Sequence, residues 1–317
     1  MSKRKTGIWA ALASAFFLGL APIFGKGAIL LGFPPLAVVA LRTGLAAGLL
    51  MVVMLIFRRT YFYIYPAGLL GCLLAGGING LGSLLYYSAL GRIDAGLGQL
   101  LYALYPMFVA LWLLLDRQIL NRLTLFRLLL ALPALHLLTN TGQADIDLIG
   151  IGMMLGASAL YALHLPINQR VLYDMPALTV TLYTLLAMSG VVIPAYFLTR
   201  PVMQPWTLYE SLPTQAWQAV LALTLVTFIS RLTLFLGVKH LGGLQTALLG
   251  LGELLVTILI AHLWLGERFT PQQWAGAIVL IAGLGLVGLE KVPTESRTSH
   301  PISPFSCRPD PPFISKT

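Results

Sequence analysis

Ten apolar runs divide the sequence, separated by short polar or turn-forming stretches. They fall near Gly7–Leu30, Leu36–Phe57, Pro66–Leu90, Ala95–Leu115, Thr124–Leu138, Leu148–Asn168, Leu178–Leu198, Pro213–Leu236, Leu241–Trp264 and Pro271–Leu289. A hydrocarbon core about 30 Å thick is crossed by about 20 helical residues, so the pattern predicts an all-α polytopic membrane protein with ten transmembrane helices. The first run follows Lys3, Arg4 and Lys5 as the core of a signal peptide does. It is too long for one, and nine further runs follow it, so it reads as the first span.

Polar residues interrupt these runs at helical spacing. In the ninth run Thr246, Gly250, Glu253 and Thr257 recur at i, i+4, i+7 and i+11 and share one stripe. Glu253 lies roughly 18 Å along a helix that starts at Leu241, close to the bilayer midplane. A carboxylate at that depth costs a few kcal/mol unless it faces a cavity, finds a partner or holds a proton. Other spans carry similar stripes: Asn79, Ser83 and Tyr86 in the third, Gln99, Tyr102 and Tyr105 in the fourth, Ser158, Tyr161 and His164 in the sixth, Thr224, Thr227 and Arg231 in the eighth. Any one hydroxyl or amide can simply bridge packed helices. Their convergence on several helices predicts an internal polar cavity, with His164 a secondary candidate for proton transfer. His136, in the fifth run, reads as an ordinary helix histidine.

Composition removes the soluble alternatives. Hydrophobic residues make up 58% and charged residues 10% of the 317, and the mean hydropathy is +0.85, more apolar surface than one core can hide. The net charge of +9 would suit nucleic acid if it formed a patch. Instead the basic residues lie between the apolar runs, so membrane topology explains them and no nucleic acid is implied. Lys3, Arg4, Lys5, Arg58, Arg59, Arg117, Arg122, Arg127, Arg170, Lys239 and Lys291 gather on the side that carries both termini; Arg92, Arg200 and Arg268 lie opposite, with Asp145 and Asp147. The positive-inside rule places both termini in the cytoplasm. Cys72 and Cys307 form neither a CxxC pair nor a disulfide framework. The stretch 292–317, rich in Pro and Ser, is expected to be a disordered tail.

The chain repeats itself. Ser14, Pro22 and Lys26 of the first span match Ser158, Pro166 and Arg170 of the sixth at one constant offset, and Pro35, Leu41 and Thr43 match Pro176, Leu182 and Thr184 at a second. Tyr86 to Pro106 resembles Leu234 to Leu254. A five-helix repeat has odd parity, so its second copy enters the membrane from the opposite face. That is an inverted repeat, which places a substrate site near the midplane between halves. The expected organisation is a short N-terminus (1–6), a first repeat (7–139), an external linker (140–147), a second repeat (148–289) and a cytoplasmic tail (290–317).

With these features the chain resembles the ten-helix drug/metabolite transporter superfamily in its EamA-like branch. The resembling segments are FFLGLAPIFGK with Arg42 downstream, LLYYSALGRIDAGLGQLLYALYPMFVALW, and the closing GLGELLVTILIAHLWLGERFTPQQWAGAIVLIAGLGLVGLE. The Gly266-Glu267-Arg268 triplet with Gln273 and Gly276 is the most family-like signature. The resemblance implies a polytopic carrier of the bacterial inner membrane that commonly exports amino acids or other small metabolites. Two features depart from the pattern: Leu254 follows Glu253 where members usually have Pro, and Pro133 and Arg127 mark an atypical fifth span.

The expected function is therefore a secondary transporter that exports amino acids or similar small metabolites by alternating access, with Glu253 as its coupling or substrate-binding carboxylate and the proton as the candidate coupling ion. A nucleotide-sugar or phosphometabolite exchanger of the same fold is the alternative within the class, and a non-transporting scaffold the alternative outside it. No HExxH, GxSxG or GxxxxGK motif supports an enzyme or an ATP-driven pump. No cofactor or metal is implied; the partners are the bilayer and a small-molecule substrate, and the sequence sets no oligomeric state, a monomer being compatible with it. The candidate substrate-binding set is Glu253, Thr257, Asn79, Ser83, Tyr86, Gln99, Tyr102, Tyr105, Tyr161, His164, Thr227 and Arg231. Lys26 and Arg42 lie near the outer ends of their helices and either snorkel to headgroups or form an outer gate. Arg231 falls about 10 Å from Glu253 on helical rise alone. With one carboxylate and many tyrosines, the cavity is expected to suit a small zwitterion or a cationic amphiphile.

Overall fold

The computed structural model describes residues 3–105, 107–108, 111–112, 133, 137, 147–199, 212–241, 246, 249–250, 252–268 and 270–285. Arg127, His136 and most of the fifth run, the linker up to Asp145, Lys291 and the 292–317 tail with Cys307 lie outside the described residues. Helices are named here by their order among the predicted spans. The first covers Lys3–Leu30, the second Pro35–Phe57, the third Pro66–Leu90 and the fourth Ala95–Tyr102. The sixth covers Leu148–Asp174, the seventh Ala177–Thr199, the eighth Thr214–Leu241, the ninth Gly252–Ile260 and the tenth Pro271–Gly285. Among the described residues, six of these helices are long and apolar enough to cross a membrane.

Proline sets several of these boundaries. Pro35 and Pro66 open the second and third helices at positions where the missing N–H costs nothing. Within the run predicted to Leu115 the fourth helix is interrupted after Tyr102, where Ala103 and Leu104 form a turn, and the described residues 105, 107, 108, 111 and 112 are helical again. Pro106 has no N–H for the Tyr102 carbonyl; the Ser158 hydroxyl, from the sixth helix, donates to that carbonyl instead at 2.8 Å. The ninth helix widens into a π-helical turn over Ala261–Leu265, ended by Gly266 in the left-handed conformation at φ 69°.

Packing follows the symmetry of an inverted repeat. The first helix packs on the eighth and the third on the sixth, and these are the two most extensive contacts. Exchanging first for sixth and third for eighth turns one pair into the other. The first–ninth and sixth–fourth contacts are related in the same way, as are the third–seventh and eighth–second contacts. Close approach needs glycine where the third helix meets the seventh: a Cβ on Gly76 would stand 2.6 Å from both the Ala187 Cβ and the Thr184 carbonyl. The outward stripe of the first helix, Trp9, Leu12 and Phe16, is exposed, as a lipid-facing stripe should be.

An inverted repeat makes a prediction about sides. Reporter fusions at Thr60 and Lys291 should read cytoplasmic, and fusions at Thr141 and Thr207 external. Thr60 and Thr141 reporting the same side would contradict the arrangement.

Candidate functional site

The polar stripes meet at the centre of the molecule. Leu18 and Pro22 of the first helix, Arg42 of the second, Ser83, Tyr86 and Tyr87 of the third, Gln99 and Tyr102 of the fourth, Tyr161 of the sixth, Arg231 of the eighth and Glu253 of the ninth line one cavity of about 50 Å³. That is room for a few water-sized groups. A second cavity, of about 10 Å³, lies toward the face that carries the N-terminus, where Ala11, Ser14, Leu234 and Val238 line it. Leu18, Tyr161 and Glu253 border both. Glu253 is thus the one carboxylate among the described residues that borders both cavities.

Glu253 is 5% exposed and is held from the fourth helix. Its carboxylate accepts a hydrogen bond from Gln99, whose Oε1 accepts from the Tyr86 hydroxyl at 3.2 Å. No salt bridge joins Glu253 to Arg231, in keeping with the separation expected from helical rise, although the two charges interact across the cavity. The backbone beneath Glu253 is clamped to the first helix: the Thr257 hydroxyl donates to the Gly19 carbonyl at 2.8 Å and to the Glu253 carbonyl at 2.9 Å. Thr257 therefore ties helices together and lines neither cavity. The ninth helix runs through Leu254 without a break.

The arginines are the main surprise. Arg42 does not reach for headgroups. It is 7% exposed; Nη1 lies 3.4 Å from Thr227 Oγ1 and Nη2 3.3 Å from Ser83 Oγ. Its guanidinium carbon lies 4.5 Å from the centre of the Tyr87 ring, a cation–π contact. The snorkelling reading is corrected by these contacts: hydroxyls from two other helices replace the headgroups that the end of a lone helix would seek. With its amide oxygen turned to Arg231, Asn79 accepts from both terminal nitrogens at 3.1 and 3.2 Å. Two guanidinium groups and one carboxylate thus share the cavity, which removes the expectation that it suits a cationic amphiphile.

Aromatic rings form the wall between them. Tyr86 meets Tyr102 edge-on at 5.0 Å, Tyr102 lies 5.2 Å from Tyr161, and Tyr161 packs on Tyr105 at 5.1 Å. Tyr105 borders only the smaller cavity. His164, its ring tilted against that of Tyr161 at 4.8 Å and its Nδ1 at 2.8 Å from the Tyr161 carbonyl oxygen, lines neither cavity. Tyr87 escaped the sequence reading, which followed Ser83 to Tyr86. The signal was there, since Ser83 and Tyr87 are four residues apart on one helical face.

Lys26 is placed differently from Arg42. It donates from near the C-terminal end of the first helix to the Leu90 and Ile93 carbonyls, at 2.8 Å each. Nearby, Glu267 reaches from beyond the ninth helix to the start of the fourth, accepting from the amides of Ala95 and Gly96 at 2.7 and 2.8 Å. Asp94, at the N-cap position, makes no such bond, so the cap comes from the other repeat. Burial pushes the Glu267 carboxyl above the ordinary range, against the two amide bonds that hold it down. Arg92 and Asp147 form a salt bridge at 2.8 Å on the same face. The hydrogen bond from Arg92 and then the Gly150 amide hold Asp147 below the usual carboxylate range.

An all-α bundle of inverted repeats around a central polar cavity that carries a carboxylate is the architecture of a membrane transporter of the drug/metabolite type. A family model described as the EamA-like transporter family matches residues 5–140 and again 148–289. The chain belongs to the EamA-like transporter family. It is 25% identical over 261 residues to "Uncharacterized transporter YcbK" of Bacillus subtilis (strain 168), which covers 80% of this chain and 83% of that protein. A solved structure titled "Crystal structure of protein" shares the fold, with a TM-score of 0.62 at 19% identity, covering 90% of this chain and 96% of that one.

Proposed function

We propose that this transporter exports amino acids or similar small metabolites from the cytoplasm by alternating access, using Glu253 as the carboxylate that binds substrate or proton in turn. The observation that carries the reading is that Glu253 borders both the central cavity and the smaller one toward the N-terminal face. A group reached alternately from each side exchanges its occupant across the membrane without a continuous channel. The tyrosine wall supplies amphipathic rings that stack on or hydrogen-bond to a solute while tolerating its apolar parts. Lys26 with the Leu90 and Ile93 carbonyls, and Glu267 with the start of the fourth helix, act as the outer gate. The Glu267 bond crosses between repeats, so it must break if the repeats rock apart at that face.

Metabolite profiling of the medium from cells with and without the protein tests this. A compound that accumulates outside only when the protein is present supports export; accumulation inside reverses the direction. In the same assay, replacing Tyr102 and Tyr105 together with Phe should leave membrane insertion intact and weaken export severalfold, since each lost hydroxyl contact is worth about 0.5–1.5 kcal/mol. Unchanged export would assign both hydroxyls to helix packing.

A further inference from the structure

The central cavity is richer in hydrogen-bond donors than in acceptors. A guanidinium carries five N–H groups. That of Arg42 is served by two hydroxyl oxygens only, at 3.3 and 3.4 Å, both long for such bonds. The Thr227 hydroxyl also donates its own proton away, to the Leu223 carbonyl at 2.7 Å. Arg42 Nε has no partner, and neither has the Tyr87 hydroxyl, although both atoms are buried and both residues line the cavity. The Tyr87 ring is fixed in place, because the first helix presses on it at Gly25, where a Cβ would stand 2.8 Å from Cε1. Arg231 adds a second positive charge, its fork already seated on Asn79. The carboxylate in the lining, Glu253, is bonded to Gln99 and bridges to neither arginine.

Buried donors of this kind call for an acceptor that arrives with the ligand, and a charged one is favoured where the donor is a cation. We infer that Arg42 and Tyr87 form an oxyanion seat, and that the solute carried by this protein is a small carboxylate whose anionic end docks there. The inference rests on the transporter reading above. The planar guanidinium fork matches the two oxygens of a carboxylate, and the Tyr87 hydroxyl donates a further bond. Phosphate offers similar oxygens, but a phosphomonoester brings up to two negative charges into a cavity that already holds Glu253, and the carboxylate brings one. Glu253 and the carbonyl of Gln99 then face the other end of the solute, where an ammonium or hydroxyl donor fits. The rings of Tyr86, Tyr102 and Tyr161 lie between the two ends.

The test uses purified full-length protein and its thermal unfolding midpoint in the presence of free amino acids and simple carboxylic acids, their matched carboxamides, and small phosphomonoesters. At least one acid should raise the midpoint of the wild type, and its amide, equal in size but uncharged, should bind at least about tenfold more weakly. Arg42→Gln should lose the discrimination, Arg42→Lys should keep part of it, and Tyr87→Phe should reduce it less than Arg42→Gln does. The lysine variant keeps the charge, so it reports on the seat if Arg42→Gln fails to fold. Equal response to acids and amides, no response to any acid, or acid binding by both Arg42 variants at wild-type strength would overturn the proposal. A response to phosphomonoesters alone would overturn the carboxylate assignment. Counterflow in proteoliposomes separates this from the transporter reading. Equal flux of acids and amides sinks the seat and leaves transport standing; Arg42-dependent binding without flux does the reverse.

Discussion

Glu253→Gln should insert and fold as the wild type does and lose most of its transport. The substitution keeps the size of the side chain and its ability to bond Gln99, and it removes only the charge and the titratable proton. A hydrogen bond to a charged group is worth about 1.5–3 kcal/mol, so substrate affinity or flux should fall roughly 10- to 150-fold. If the proton is the coupled species, the remaining flux should also lose its dependence on pH between about 6 and 8. Flux in proteoliposomes, normalised to the amount of inserted protein, measures both. Wild-type flux and pH dependence in the variant would leave Glu253 as a packing residue. The first span, Lys3–Leu30, contains no acidic residue at all, so no carboxylate there can substitute for it.

Gly19→Ala should be the most damaging single methyl in the core of the site. A Cβ at Gly19 would stand 2.6 Å from the Glu253 carbonyl oxygen and 2.7 Å from the Val256 Cβ, and neither can move without shifting the ninth helix. Forcing atoms into a packed contact costs about 1–3 kcal/mol. The shift also carries the Glu253 side chain with it and strains the bond from Thr257 to the Gly19 carbonyl. The purified variant should therefore unfold at a lower temperature and transport poorly. Thr257→Val, which loses one interhelical hydrogen bond, should cost less, about 0.6 kcal/mol by the average for membrane helices. Gly27→Ala is the control, because a Cβ there meets nothing within 4 Å, and it should be neutral. A Gly19→Ala protein as stable and active as the wild type would show that the first and ninth helices are not clamped at this point.

What the sequence reveals follows from where each constraint lies. The spans and their repetition are written locally, in apolar runs and in the matched Ser14/Ser158 and Pro22/Pro166 pairs, and the exchange of first–eighth for sixth–third packing expresses the same symmetry in space. The inward stripe of Glu253 is likewise a property of one helix. Arg42 is not. Its distance from the end of its own helix suggests snorkelling, and only the packing of the second helix against the third and eighth brings Ser83 and Thr227 to it. The cap that Glu267 places on the fourth helix joins residues of different repeats, so no local spacing shows it. The interruption of the fourth helix after Tyr102 was legible, since Pro106 has no N–H to offer the Tyr102 carbonyl.

The central claim is that Glu253 binds and releases a proton or substrate from within the membrane. A hydrophobic carbodiimide, which reacts with protonated carboxyls in apolar surroundings, tests it without knowledge of the substrate. Peptide mass spectrometry of treated protein should find the adduct on Glu253, with labelling that slows as pH rises and transport that falls in proportion to the label. Full transport by protein fully labelled at Glu253, or transport lost with Glu253 unlabelled, would contradict the account.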